Sequence, residues 1–188
     1  MLDAAPICHV AFIADGLPRL LPATHARVGN TLYFHGSPAG GVIGAAASGA
    51  ALCISAVVLD RVVVAHSACD SGLNYRSVLF TGTGREVEDP AEVELALRAI
   101  TERVTPGGWE RGRLPRAEEI AATAVAAVAV AGFTVRARSG PAKEDEADRA
   151  LPAWSGVVPL VLRTGPAVPG PGVPPGAAPP VLPGSIGA

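Results

Sequence analysis

Several side chains in this sequence are of types that do chemistry. Cys69 and Asp70 stand together in a small, polar run, Cys69-Asp70-Ser71-Gly72. A thiolate becomes a useful nucleophile when a base or a cation lies beside it, and His66 and Arg76 are near in sequence. Asp70 could itself act as a general acid or base. The plainer reading is a loop cysteine next to an aspartate that closes an Asx-type turn. Arg76 follows Tyr75 at the start of an apolar strand pattern. A strand arginine that points inward needs an anionic ligand or a carboxylate partner. His25 and His35 flank a turn and could face each other across a hairpin. Two imidazoles could bind a metal or supply an axial haem ligand. No carboxylate or cysteine cluster completes such a site, so the alternative is a pair of histidines bonded within the fold or lining a pocket.

The segment 33–48, "YFHGSPAGGVIGAAAS", poses a different question. It leaves an apolar run, passes through glycines and enters an alanine-rich stretch. "AGGVIG" is a near match to G-x-G-x-x-G, and Asp60 lies about twenty residues on, as a dinucleotide-binding βαβ unit requires. Three features oppose that reading. Ala39 replaces the first glycine, the preceding strands are short and hairpin-linked, and the chain continues after Asp60 as strand with no crossover helix. A strand-to-helix turn remains, a place where helix N–H groups favour an anion. Arg27 and Arg61 are the cations nearest in sequence.

The elements that must position these residues are mainly β. "PICHVAFIA" is a strand, Asp15-Gly16 a hairpin turn, and "LPRLLPATHARV" a return strand that Pro18 and Pro22 restrict to an edge. Gly29-Asn30 turns into the strand "TLYFHG", and residues 38–49 form a short helix. "ALCISAVVLD" and "RVVVAHSA" are two strands meeting at an Asp60-Arg61 hairpin. "CDSGLN" is a loop, and "YRSVLFTGTGREVE" a long strand whose glycines suggest bends or bulges. Asp89 caps a helix with Pro90 at N1 and Glu92 at N3, and Val93, Leu97, Ile100 and Val104 share its buried face. "TPGGWERGRLP" is a loop, "RAEEIAATA" a short helix and "VAAVAVAGFTVRARSG" a final long strand. "KEDEAD" is a solvated acidic run and "VVPLVLR" a closing strand. Cys8 and Cys53 read as inert core residues, Trp109 and Trp154 as packing anchors or a pocket lid.

At 188 residues and 49% hydrophobic content, the chain can bury one core. A net charge of −2 gives no electrostatic case for nucleic acid or anionic lipid. No apolar run is long enough to span a bilayer, and the N-terminus lacks a basic n-region. Three scattered cysteines suit a reducing, cytoplasmic setting better than a disulfide framework. Residues 164–188 hold eight prolines and six glycines, too little apolar surface for a second domain. The expected organisation is one domain over 1–163 and a tail over 164–188.

The order of pieces is also familiar. "ATHARVGNTLYFHGS", "NYRSV" and "LPAWSGVVPL", within a stretch from about residue 4 to residue 163, resemble the pyridoxamine 5′-phosphate oxidase-like superfamily. The nearest branch is that of flavin-nucleotide-binding proteins, which includes nitroimidazole-resistance reductases. The resemblance implies a mainly β, antiparallel split barrel with peripheral helices, working as a homodimer. It implies FMN at the dimer interface, passing reducing equivalents from a nicotinamide or other donor to a small organic molecule. By position, His25, Arg27, His35, Gly36 and Ser37 would flank the flavin, and Asn74, Tyr75, Arg76 and Ser77 would line the same pocket. This sequence departs from the pattern twice. Gly40-Gly41 and Gly44 stand where relatives carry residues that grip the FMN phosphate. Charge-assisted hydrogen bonds are worth about 1.5–3 kcal/mol each. Residues 69–73 replace a Phe-His-His-Ser-Met run. A haem held by a histidine such as His25, His35 or His66, or a barrel without cofactor that binds a ligand or does non-redox chemistry, are the alternatives.

Overall fold

The computed structural model describes residues 1–182 and the backbone of a two-residue strand at 185–186. β1 (Cys8–Ala14) and β2 (Leu17–Ala23) form a hairpin in full register from Cys8↔Ala23 to Ala14↔Leu17. Asp15 and Gly16, at φ 54° and 72°, supply the two positive-φ residues that a tight hairpin needs. The prolines place β2 at the edge of the sheet, as its sequence demands. β3 (Ala26–Val28) and β4 (Thr31–Gly36) make a second hairpin around Gly29, and α1 (Gly41–Ala47) follows.

β5 (Ala51–Val64) and β6 (Gly72–Glu86) are the long spine of the fold. The expected hairpin at Asp60-Arg61 does not occur. β5 runs through it as one strand, with a bulge between Leu59 and Arg61. No glycine stands there to take a left-handed turn, and a bulge absorbs the extra residue against β6. β6 in turn lacks the bulge its glycines suggested. A Cβ at Gly82 would lie 2.8 Å from Val128 Cγ1, and one at Gly84 would lie 2.6 Å from Ala46 Cα. These glycines admit a neighbouring strand and α1 at close range.

α2 (Pro90–Val104) begins as read, with Asp89 accepting the Glu92 N–H at 3.2 Å. Glu92 does not complete a capping box. Its carboxylate binds the Tyr33 hydroxyl at 2.8 Å and pairs with Arg85. The "GWER" segment is a single helical turn, α3 (Gly108–Arg111), where a loop was expected. α4 (Ala117–Ala121) follows. The anticipated final strand is two strands, β7 (Ala124–Ala129) and β8 (Thr134–Arg138), separated at Gly132 with φ 59°. α5 (Glu146–Arg149) is one turn inside the polar excursion, and β9 (Gly156–Pro159) and β10 (Leu162–Arg163) close the body. β10 pairs with β11 at 185–186.

Among the described residues all pairings are antiparallel, in the order β2-β1-β5-β6-β7-β4-β3, with β8 added to β6 and β9 to β5. β6 pairs with β5 and β8 along its first part and with β7 at Gly84–Glu86. That change of partner curls the sheet around an interior of Val10, Phe12, Leu32, Phe34, Ile54 and Phe80. A second cluster lies under α2, where Ala96 and Ile100 meet Tyr33, Val125 and Ala127. Val104 escapes this face and is exposed. Cys8 is buried, and burial pushes its thiol up to about 12. Cys53, expected in the core, is only half-buried, because its register places it on the opposite face from Leu52 and Ile54.

Candidate functional site

The charged end of the β5–β6–β8 layer gathers Asp60, Arg61, Asn74, Arg76, Arg138 and Ser139. The β5 bulge brings Asp60 against Arg76, which otherwise stands opposite Val58. Arg76 donates through Nε and Nη2 to Asp60 Oδ1 at 3.1 and 2.7 Å, a two-pronged ion pair. The guanidinium holds the Asp60 carboxyl below its ordinary range. The carboxylate partner required by an inward arginine is therefore on the adjacent strand. Asn74, 1% exposed, donates from Nδ2 to the Gly140 carbonyl at 2.9 Å. Arg61, Arg138 and Ser139 join these residues around a cavity of about 310 Å³.

Beyond the end of β5, residues 65–71 form a tight loop closed by the Ala65 N–H donating to the Ser71 hydroxyl at 3.1 Å. His66 sits in it with its side chain 11% exposed, beside a Glu144 side chain 8% exposed. Glu144 Oε1 accepts from both the His66 backbone N–H and Nδ1, the latter at 3.0 Å. Those two donors, the backbone N–H foremost, hold the Glu144 carboxyl low. A carboxylate can only accept, so Nδ1 carries a proton, and in the neutral imidazole Nε2 holds the lone pair. Among the described residues Nε2 makes no hydrogen bond. This is the arrangement that orients a metal-ligating imidazole.

Cys69 and Asp70 lie on a 3-10 turn, Ala68–Asp70, in the same loop. Cys69 is exposed, and among the described residues neither side chain makes a hydrogen bond or ion pair. Tyr75 and Ser77 are on β6 but on its outer face, opposite Leu59 and Val57 of β5 and Arg138 and Arg136 of β8.

The remaining predicted residues are elsewhere. His25 and His35 do not face each other. The β3–β4 register pairs Ala26 with Tyr33, which carries His25 opposite Phe34 and puts the two imidazoles on opposite faces. His25 is buried, donating from Nε2 to the Leu2 carbonyl at 2.9 Å, and burial lowers its pKa so that it is neutral. Arg27 is tied to Asp3 at 2.6 Å and to the Gly29 carbonyl. His35 is exposed and lines a separate cleft of about 310 Å³ with Leu97, Trp109 and the Arg113–Glu119 pair. Arg113 and the Arg116 backbone hold the Glu119 carboxyl down to about 2.

The glycine segment is a packing device. The Gly40 N–H donates to the Ser37 carbonyl at 2.7 Å. A Cβ on Gly41 would sit 3.0 Å from Leu21 Cδ1 and 3.1 Å from Phe12 Cζ, so α1 enters too close to the β1–β2 hairpin for a large residue. Gly36 is an ordinary 3.5 Å from Ile43 by the same measure, and Gly44 faces open space. α1 carries no cation to hold a phosphate.

Arg138, Ser139 and Glu144 were not singled out from sequence, and Arg61 was noted only as a cation near the glycine segment and as part of an expected hairpin. The "VRAR" alternation marked Arg138 as sharing a strand face with Arg136, but nothing local tied either to Asn74. Glu144 lay within the acidic run read as solvent-facing. Among the described residues no three His, Cys, Asp or Glu side chains gather as a metal site, and no helix is long and apolar enough to cross a membrane.

A curled antiparallel sheet whose long central strand is shared between two halves is a split β-barrel. The chain belongs to the pyridoxamine 5′-phosphate oxidase family, whose sequence profile matches residues 1–137. A flavocytochrome from Azotobacter vinelandii is 37% identical, with a TM-score of 0.85 over 95% of this chain and 83% of that one. An FAD- and haem-binding protein from Mycobacterium smegmatis is 35% identical, with a TM-score of 0.89 over 95% of this chain and 88% of that one. A 5-nitroimidazole antibiotic resistance protein from Bacteroides thetaiotaomicron shares the fold at 23% identity and a TM-score of 0.58, over 71% of this chain and 78% of that one. No curated protein matches the chain.

Proposed function

We propose that this protein is a flavin-binding redox protein that also holds haem, with His66 as the residue that would bind its iron. The carrying observation is the His66–Glu144 pair: a largely buried imidazole with one nitrogen fixed by a carboxylate and the other left bare. His25 also has one bonded and one unpartnered nitrogen, but it is a poorer candidate because it is 1% exposed and its Nε2 is held by the Leu2 carbonyl, not by a carboxylate. Two relatives above 30% identity, described as a flavocytochrome and as an FAD- and haem-binding protein, support the same pairing. Bound haem would supply one-electron chemistry, and bound flavin would connect it to two-electron donors. Glu144 orients His66, keeps its tautomer and raises its basicity.

FAD suits the structure better than FMN. FMN ends in a dianionic phosphomonoester, and the α1 entrance offers it glycines and no cation. The reading retains an oxidoreductase acting on a small molecule and sets aside the FMN phosphate grip.

The working form is a homodimer. By register, Ile13, Leu20, Val57, Leu59 and Leu79 share the outer face of the β2-β1-β5-β6 sheet, and all are at least 43% exposed. A contiguous apolar face of this kind marks a protein interface. Three unpaired cysteines support a cytoplasmic setting.

The test is the visible spectrum of the purified protein, before and after incubation with FAD and haemin. A flavin band together with a Soret band is expected. A protein that stays colourless under both additions overturns the reading in favour of a split barrel that binds a ligand or does non-redox chemistry.

A further inference from the structure

The chain exposes more surface than its size requires. By the usual scaling of surface with mass, a folded monomer of 18.9 kDa shows about 8,300 Å² to solvent. This chain shows 11647 Å². The excess of about 3,300 Å² is larger than the roughly 1,000–2,500 Å² that each partner of an obligate dimer usually hides. One stretch stands out. Every residue from Val157 to Leu182 is exposed, and neither core cluster holds a residue beyond Val130.

The last part of that stretch, 164–182, is an arm with a definite shape. Its prolines fix φ, and two turns bend it. Pro171-Gly172 and Pro175-Gly176 each set a proline before a glycine of positive φ, 81° and 83°, as a type II turn requires. The Val173 N–H donates to the Gly170 carbonyl at 3.4 Å, and the Ala177 N–H to the Pro174 carbonyl at 3.1 Å. At the base of the arm, Leu162 and Arg163 pair with Ile186 and Ser185. A chain pre-set in this way loses little entropy on docking. Its composition also suits a covered segment. No side chain after Arg163 is charged, and Val168 and Val181 are 89% and 91% exposed. A tail that stays free in water is normally polar or charged.

The arm leaves the body beside the apolar outer face. β9 pairs with β5 at Arg61–Val64, just beyond Val57 and Leu59 of that face. Exposed Val158, Leu160 and Leu162 lead on from there to the arm. A two-fold axis through the face offers each subunit's arm to the other's surface.

We infer that the arm 164–182 is a strap that lies on a second copy of this chain, with Val168 and Val181 covered by the partner. The inference rests on the homodimer of the preceding reading and deepens it: the sheet face makes the contact, and two exchanged arms tie it.

The test uses the full-length protein. Mass photometry across a dilution series gives the dimer Kd of wild type and of the Val168→Asp/Val181→Asp double variant, with circular dichroism as the check that the variant folds. The photoreactive residue p-benzoylphenylalanine in place of Val168 reports what the arm touches. Mixing isotopically light and heavy protein, with time for subunits to exchange, separates links between copies from links within one. Wild type is expected to be a dimer with light–heavy links. The double variant is expected to dissociate at least about tenfold more readily, because docking would bury two carboxylates in an apolar contact. A dimer whose Kd the variant leaves unchanged, or one with no link between copies, overturns the strap and leaves the homodimer standing. A wild type that is monomeric throughout overturns both. Crosslinking in cells that joins the arm to a different protein, and not to a second copy, also overturns the strap.

Discussion

The entrance to α1 and the far end of the β5–β6 ladder are both places where a strand stops and polar groups meet solvent, and they are built in opposite ways. At α1 the polar groups are backbone, the residues are glycines, and helix and hairpin touch so closely that a Cβ on Gly41 would stand only 3.0 Å from Leu21 Cδ1. At the other end the residues are long and charged, a bulge has been inserted, and three guanidiniums surround an open space. The first is tight and uncharged. The second is roomy and positive. The difference teaches that a glycine-rich strand-to-helix turn is not in itself a phosphate cradle. Glycines serve close packing as readily as ligand approach, and the charge has to be found wherever it stands.

Substitutions can break that contrast at either end. The largest effect is expected from Gly84→Val, which drives a side chain into the α1 backbone at Ala46, where neither element can yield. Chemical denaturation should show a loss of about 3 kcal/mol or more. A smaller effect should follow from Gly41→Ala. Leu21 and Phe12 are side chains that can shift by a few tenths of an ångström, so about 1 kcal/mol is expected. Gly44→Lys should go the other way. Its site is open, and replacing a helical glycine should stabilise by about 0.5–1 kcal/mol. It also returns a cation to α1, and FMN affinity should rise by about tenfold in a fluorescence-quenching titration.

The smallest effects belong to the Asp60–Arg76 pair. Both side chains are partly exposed, at 28% and 39%, so screening limits its worth to below about 1 kcal/mol. Its pH signature has a definite sign. The folded-state carboxyl is held below its unfolded value, so its contribution is present above the ordinary carboxylate range. It is lost as pH falls through the lowered value. Asp60→Asn should lower stability at neutral pH by up to about 1 kcal/mol, match wild type in acid and so flatten the acid limb of the stability curve, read by urea midpoints across pH.

How much of this was legible in the sequence follows from how local each signal is. Asp15-Gly16 and the Asp89-Pro90 helix start were readable because turn and cap chemistry lies within four residues. The Asp60 bulge was not, since a bulge is a mismatch between two strands and only β6 reveals it. The break between β7 and β8 hid in a run of small apolar residues that fits one strand as well as two. At the site, Arg76 was legible as an arginine needing a partner, but its partner lay across a ladder. Glu144 looked like one more member of an acidic run until the fold brought it to a buried imidazole seventy-eight positions away. His25 and His35 misled because sequence spacing suggests a hairpin but does not fix its register.

The central claim is that His66, oriented by Glu144, is poised to ligate haem in a flavin-binding split barrel. Titrating haemin into wild type, His66→Ala and Glu144→Gln, each already incubated with FAD, tests it most directly. The account predicts a Soret band in wild type, none in His66→Ala with the flavin band intact, and haem affinity lowered about 10–100-fold in Glu144→Gln. A Soret band of undiminished intensity and unchanged affinity in His66→Ala would contradict it.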